Sequence, residues 1–341
     1  DDTLKVIELA DLSKRFLKYQ IDTSFLLAQD AVNLSIQLDH FYSLAYSYKQ
    51  LGLVLKYKAE YDSAMVYYNK SLEMFNELGI KRERAVILNR IANIQKRNGH
   101  FQEALESFLT ALNISVEQKD TIMISAIYNN LGILYSDMGN YNKALDYQML
   151  NLSIKKAQKS TDNIPIVLMN IGNIYSNKNL YEEAIEYYKE ALGYLETSDY
   201  KYDQFMLLHN MGTLYEGIGK YQEALEYYNK AIILEKELND TEMQILSTQW
   251  IGNVIIKTGN FKEGVKYLEK SFDLANEIGD LRKIHSLSAN LYKEFEKQSD
   301  YLNSYKYLKN YVTLEDSIFT LEGKKELIEL EQKYEAEKRE R

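Results

Sequence analysis

The sequence predicts an all-α protein, a tandem array of about eight helical hairpins followed by a C-terminal helix, and three observations carry that reading. An aromatic residue returns every 40 positions, at Tyr61, Phe101, Tyr141, Tyr181, Tyr221, Phe261 and Tyr301, with Ile21 in the same register. Three residues after each comes a small one (Ser24, Ala64, Ala104, Ala144, Ala184, Ala224, Gly264, Ser304), and nine before it stands Gly52, Ala92, Gly132, Gly172, Gly212 or Gly252. Two residues before it lies Ala59, Gly99, Gly139, Asn179, Gly219, Gly259 or Ser299. Small side chains in one register mean that two helices approach closely there. Gly and Asn tolerate the left-handed backbone that ends a helix, so the third set marks the turn inside each hairpin.

Taken in order, residues 4–18 make a first helix through Leu4, Ile7, Leu9, Leu12 and Phe16, with Leu12 where a small residue is expected. Paired with residues 22–38 it reads as a degenerate capping hairpin over 4–39. Complete hairpins follow at 40–79, 80–119, 120–159, 160–199, 200–239 and 240–279. Gly79, Asn239-Asp240 and Gly279-Asp280 punctuate the boundaries, and Asp120-Thr121 and Asp162 are placed as N-caps. Pro165, the one proline, falls in the first turn of its helix, where its missing N–H costs nothing. Leu225, Tyr228, Ile232 and Leu234-Glu235 through Leu238 form one apolar stripe at helical spacing. The hairpin at 280–318 is eroded, with Tyr292, Ser304 and Tyr311 at positions that are small elsewhere. Beyond it Leu321, Leu327, Leu330 and Tyr334 sit among dense mixed charge, which predicts a polar helical extension over 319–341 after a solenoid at 1–318.

Composition excludes several function classes. Fifty acidic against 41 basic residues, a net charge of −9, disfavours nonspecific nucleic-acid binding, which depends on neutralising phosphates. Cysteine is absent, so thiol catalysis, disulfides and cysteine metal sites are ruled out. No stretch is long and apolar enough to span a bilayer. His40, His100, His209 and His285 are scattered without metal-ligand spacing, and no glycine-rich phosphate loop ends in Gly-Lys-Ser/Thr. Ser153-x-x-Lys156 lacks every companion of the hydrolase motif it matches. The expectation is no catalytic residue, no metal site and no cofactor.

These features resemble the tetratricopeptide repeat. Its pattern of a large residue, a Leu-Gly-like pair, Tyr, then Ala and an aromatic four later is matched by Leu208, Met211-Gly212, Tyr215, Ala224 and Tyr228. It is matched again by Leu168, Ile171-Gly172, Tyr175, Ala184 and Tyr188. The resemblance covers roughly residues 4 to 316 and implies a right-handed α-α superhelix. One departure stands out: the usual repeat is about 34 residues, so a 40-residue beat requires longer helices. A second resemblance lies in Leu314-Glu315-Asp316-Ser317-Ile318-Phe319 and the run from Glu329 to Lys338, which is similar to the exit from the sensor region of bacterial membrane-anchored regulators.

Together the resemblances imply a non-enzymatic protein- or peptide-binding scaffold, the sensor or interaction region of a bacterial signalling or transcriptional regulator. They favour the periplasmic side of the inner membrane over the cytoplasm. A free-standing cytoplasmic adaptor or peptide-responsive regulator is the alternative. In that family the first helix of each hairpin lines a concave groove, which holds a protein or peptide segment. Carried over, the groove positions include Lys49, Lys56, Asn89, Asn93, Lys96, Arg97, Asn129, Ile133, Met169, Asn173, His209 and Asn253. Asn93, Asn173 and Asn253 are expected to hydrogen-bond a ligand's backbone, and Lys49, Lys56, Lys96 and Arg97 to receive a carboxylate. A second reading of the asparagines stays open, that they tie neighbouring helices together.

Overall fold

The computed structural model describes residues 2–17, 19–158, 163–196 and 198–314, and among them all regular structure is helical. The Asp162 cap and the extension at 319–341 lie outside the described residues. The helices are α1 (Asp2–Phe16), α2 (Ile21–Gln37), α3 (Phe41–Tyr57), α4 (Tyr61–Glu77), α5 (Lys81–Arg97), α6 (Phe101–Glu117), α7 (Thr121–Asp137) and α8 (Tyr141–Ala157). They continue as α9 (Ile164–Asn177), α10 (Tyr181–Leu195), α11 (Lys201–Gly217), α12 (Tyr221–Leu238), α13 (Thr241–Lys257), α14 (Phe261–Glu277) and α15 (Leu281–Lys297). Residues 301–314 form α16.

The 40-residue beat now has a geometric cause. Most helices are 17 residues long and most are followed by a three-residue connection, so the recurring aromatic is the first residue of every second helix. These helices are longer than those of a 34-residue repeat, as the spacing requires. Every predicted turn residue is left-handed, including Ala59 at φ 60° and Ser299 at φ 58°, where a Cβ makes that conformation cost about 1–2 kcal/mol. Each of these turns closes by a hydrogen bond spanning five residues back, such as His100 N–H to the Gln95 carbonyl (2.9 Å) and Lys220 N–H to the Tyr215 carbonyl (2.9 Å). That is the Schellman pattern, which satisfies carbonyls a helix end would otherwise leave bare. Asp120, Asp240 and Asp280 cap α7, α13 and α15 by accepting from the backbone N–H three residues on, each at 3.1 Å.

The hairpin α11–α12 shows how the array packs. Leu208, Met211 and Leu214 of α11 and Ala224, Tyr228, Ala231 and Leu234 of α12 are buried, each large side chain contributing about 1.5–3 kcal/mol. At Gly212 a Cβ would sit 2.3 Å from Tyr228 Cε1, so the glycine exists to admit the ring. The rings of Tyr215 and Tyr227 stack at 5.3 Å and 10°, a clamp repeated by Tyr175 and Tyr187 at 5.3 Å and 11°. Ala64, Ala104, Ala144, Ala184 and Ala224 are fully buried.

Two details depart from the sequence reading. In the first hairpin the close contact is made by Ser13, not Leu12: the Ser13 hydroxyl donates to the Ser24 carbonyl and Ser24 returns the bond, both at 2.8 Å. Leu12 is exposed, and α1 stops at Phe16, one residue short of the register of the later first helices. Leu238, expected at the end of a buried stripe, is also exposed, since α12 runs one residue past the usual length.

The chain divides into two compact units, Asp1–Ala191 and Leu192–Arg341. Within the first, α1 to α9 alternate as first and second helices of successive hairpins. Within the second, α11 to α16 do the same.

Candidate functional site

The first helices of Asp1–Ala191 stand side by side and are joined by polar side chains at each step. From α1 to α3 the Tyr46 hydroxyl donates to Asp11 Oδ1 (2.6 Å), and from α3 to α5 Lys49 Nζ meets Glu83 Oε2 (2.7 Å). From α5 to α7 Asn130 donates to Asn89 Oδ1 (2.9 Å) and Lys96 pairs with Asp137 (3.0 Å). From α7 to α9 Asn170 donates to Asn129 Oδ1 (2.9 Å). The same logic links the first helices of Leu192–Arg341: Lys257 with Glu216 at 2.7 Å, and Asn290 with Asn253 at 2.8 Å. A face tied laterally in this way presents its remaining groups in fixed positions, which lowers the ordering cost of binding.

These bonds revise the roles expected from sequence. Lys49 is only 5% exposed and its ammonium is occupied by Glu83; burial pulls its pKa down against the opposing pull of that carboxylate. Lys96 is engaged by Asp137. Asn93 donates to the Asn89 carbonyl (2.7 Å), Asn173 Oδ1 accepts from the Tyr188 hydroxyl (2.6 Å), and Asn253 Oδ1 accepts from Asn290. The Asn173 and Asn253 bonds run between helices, while the Asn93 bond stays within α5. Asn89 and Asn129 serve as acceptors between helices, Asn129 also receiving Gln148 at its carbonyl (3.1 Å). Met169 belongs to the core, while Ile133 stays half-buried on the face.

His209 stacks on Trp250 with centroids 3.6 Å apart and a 13° interplanar angle, and Tyr228 and Phe205 complete the aromatic group. Burial lowers the imidazole's pKa to about 4, so the ring is neutral at physiological pH. A cleft of about 520 Å³ in the same unit is lined by Asn253, Ile256 and Asn290 together with Glu216, Lys257, Glu294 and Lys297. Its charges are already matched, Lys257 to Glu216 and Lys297 to Glu294.

Of the cations expected to receive a carboxylate, Lys56 and Arg97 have no ion-pair partner among the described residues. Arg97 lies over the Tyr61 ring, with Cζ 4.4 Å from its centroid. Lys56 is depressed in pKa by burial first, then by the charges of Arg90 and Arg97. Sequence reasoning missed Arg90, although a signal existed. In the 40-residue register its position is Gln50, Asn130, Asn170, Asn210, Trp250 and Asn290 elsewhere, so it is the one cation in that row. It also missed Glu83, which neutralises Lys49.

Fold and face together define a helical-repeat scaffold, an array whose hairpins stack on their neighbours and expose one row of first-helix side chains. The sequence profile of the tetratricopeptide repeat matches residues 83–157 and 163–232, and over those two stretches the chain is similar to tetratricopeptide repeats. No curated protein matches the sequence. Among solved structures, aspartyl phosphate phosphatase F from Bacillus subtilis aligns at 14% identity and TM-score 0.64, over 91% of this chain and 94% of that one. A Rap protein complexed with competence and sporulation factor aligns at 15% identity and TM-score 0.59, over 92% and 98%. The apo form of the quorum sensor NprR from B. thuringiensis aligns at 17% and 0.56, over 92% and 99%. At such identities the likeness is one of fold.

Proposed function

We propose that the chain is a non-catalytic peptide- or protein-binding scaffold, the sensor or interaction region of a bacterial signalling or transcriptional regulator. The observation that carries the reading is the laterally bonded first-helix row, which holds polar and aromatic groups half-exposed at a regular spacing suited to an extended segment. One of the fold neighbours is a quorum sensor and another is complexed with a sporulation factor, which supports a peptide-responsive regulator as the nearest alternative setting for the same activity. The tail resemblance favours a periplasmic sensor.

The test is a peptide-library selection on the immobilised chain, followed by calorimetry and hydrogen-exchange footprinting of the selected binders. Protection on α3, α5, α7 and α9 is the expected result. Protection confined to second helices, or no binder from the library, would reject the reading. Because one fold neighbour is an aspartyl phosphate phosphatase, the chain is also incubated with an aspartyl-phosphorylated protein. Accelerated phosphate release would replace the non-catalytic reading.

A further inference from the structure

Comparison of the joints between successive hairpins isolates one that carries a buried acid. Ser35 near the end of α2 and Ser47 of α3 bring their hydroxyls to 3.1 Å, so these two register positions oppose each other across a joint. Other joints fill them with apolar groups: Phe75 and Ile87 are buried in one core, Ala275 and Leu287 in another. Between α12 and α13 the same positions hold Glu235 and Ser247. Glu235 is 5% exposed and Ser247 is fully buried, and neither Glu235 Oε2 nor the Ser247 hydroxyl has a hydrogen-bond partner among the described residues. The backbone of this joint is weaker too. His40, Ile80, Asp120 and Asp280 each donate to the carbonyl five residues back, at 2.9 to 3.3 Å, whereas no such bond joins Asp240 N–H to the Glu235 carbonyl. There α12 runs one residue further, to Leu238, with left-handed Asn239 directly after it.

A carboxylate taken out of water needs a cation or several donors, and one that has neither favours its neutral form. The charged groups that act on Glu235 are Lys236 of its own helix and Lys270 of α14, both exposed and neither ion-paired with it, while α13 presents Ser247. The acids beside it in sequence, Glu237 and Asp240, are engaged by Lys201 of α11 and by the Met243 N–H of α13. Burial outweighs the pulls of Ser247, Lys270 and Lys236 and pushes the Glu235 pKa up. The closed joint therefore keeps a proton that an opened joint, with its carboxyl in water, gives up near an ordinary glutamate pKa of about 4.3. Closure is fully favoured below that value, and the advantage is lost as pH rises through the raised pKa of the closed joint.

We propose that Glu235 makes the α12–α13 joint a proton-operated latch, closed while the carboxyl is neutral and released when it gives its proton to solvent. Ionised, the carboxylate reaches water by drawing the end of α12 away from α13. Two contacts of the first-helix face span that joint, the His209–Trp250 stack and the Lys257–Glu216 pair, and release disconnects both. The latch acts on the face whatever the face binds.

Two measurements on the full chain test it. Carbon-13 NMR follows the glutamate carboxyls through a pH titration, with the Glu235 signal assigned by its absence in Glu235→Gln. Hydrogen exchange, corrected for intrinsic rates, follows the joint from about pH 4 to about pH 8. The carboxyl midpoint is expected above the ordinary glutamate value of about 4.3. At the end of α12 and the start of α13 the opening constant should rise by up to about tenfold per pH unit between that value and the midpoint, then level off. Glu235→Gln should remove the rise, and the α14–α15 joint should show none in either chain. His209 acts in the opposite direction and is left in place by that substitution, so the difference between the two chains isolates the carboxyl. Should Glu235→Gln fold poorly, Glu235→Leu, which copies Leu195 in the same register, takes its place. A Glu235 midpoint at the ordinary value, the same pH profile in both chains, or opening spread evenly from α13 to α15 would overturn the latch.

Discussion

The sharpest energetic test compares two glycines that look equivalent in sequence. Gly132 and Gly252 occupy the same register, yet the three atoms nearest a Cβ at Gly132 all belong to the Gln148 side chain, Nε2 at 2.6 Å, while one at Gly252 would meet the Gly264 backbone carbonyl at 2.8 Å. The Gly264 side of that contact is just as tight, a Cβ there lying 2.6 Å from the Gly252 carbonyl. Replacing either glycine by alanine gains about 1 kcal/mol of helix propensity. For Gly132→Ala the Gln148 amide can swing away at the loss of its bond to the Asn129 carbonyl, about 1 kcal/mol, so the two effects cancel. For Gly252→Ala no side chain can yield and α13 must separate from α14, an overpacking cost at the upper end of about 1–3 kcal/mol. The expected net loss is about 2 kcal/mol. Trp250, the sole tryptophan, lies two residues from Gly252 and is stacked on His209, so its fluorescence during urea unfolding reports on the unit that contains the substitution. Hydrogen exchange localises the effect, because stability in an array is a sum of local and nearest-neighbour terms. An unchanged or raised midpoint for Gly252→Ala, or α7–α8 loosened more by Gly132→Ala than α13–α14 by Gly252→Ala, would refute the reasoning.

Three further outcomes are expected. Tyr→Phe should cost about 1–2 kcal/mol at Tyr228 and about 1 kcal/mol at Tyr188, whose hydroxyls are bonded, but nothing or a small gain at Tyr68, whose hydroxyl is not; thermal and urea denaturation of the three variants decides this. Lys49→Met should lose about 3 kcal/mol by leaving the Glu83 carboxylate largely buried without its partner, and Lys49→Met with Glu83→Gln should recover most of it, as a double-mutant cycle would show. Because the folded His209 titrates at about 4 and the unfolded chain near 6.5, the unfolded state binds the extra proton between those values. Stability should therefore fall as pH drops from 6.5 to 4, by up to about 3 kcal/mol, and His209→Phe should flatten that part of the pH profile.

How much of this was legible before any coordinates existed follows from the range of the forces involved. Helix length, turn position and the left-handed residue in each turn are set within a few neighbours, so a 40-residue beat of aromatic, small and turn residues fixes them. Even Ala59 and Ser299, poor left-handed residues, obey the register. Where the register slips by one, as at Ser13, the pattern misleads because the turn after α1 is four residues long, not three. Arg90 was half-legible: its row showed it to be out of pattern, but not that its charge goes unanswered.

The sequence by itself therefore determined an all-α repeat, the phase of its helices and turns, and the first-helix face that the repeat lines up. Only the tertiary structure decided which charges on that face are already spent. Lys49 finds Glu83 34 positions away and Lys96 finds Asp137 41 positions away, across helices whose lateral offset no local pattern encodes. An ion pair or an orphaned donor depends on ångström distances between side chains from different hairpins, and those distances exist only once the hairpins have stacked.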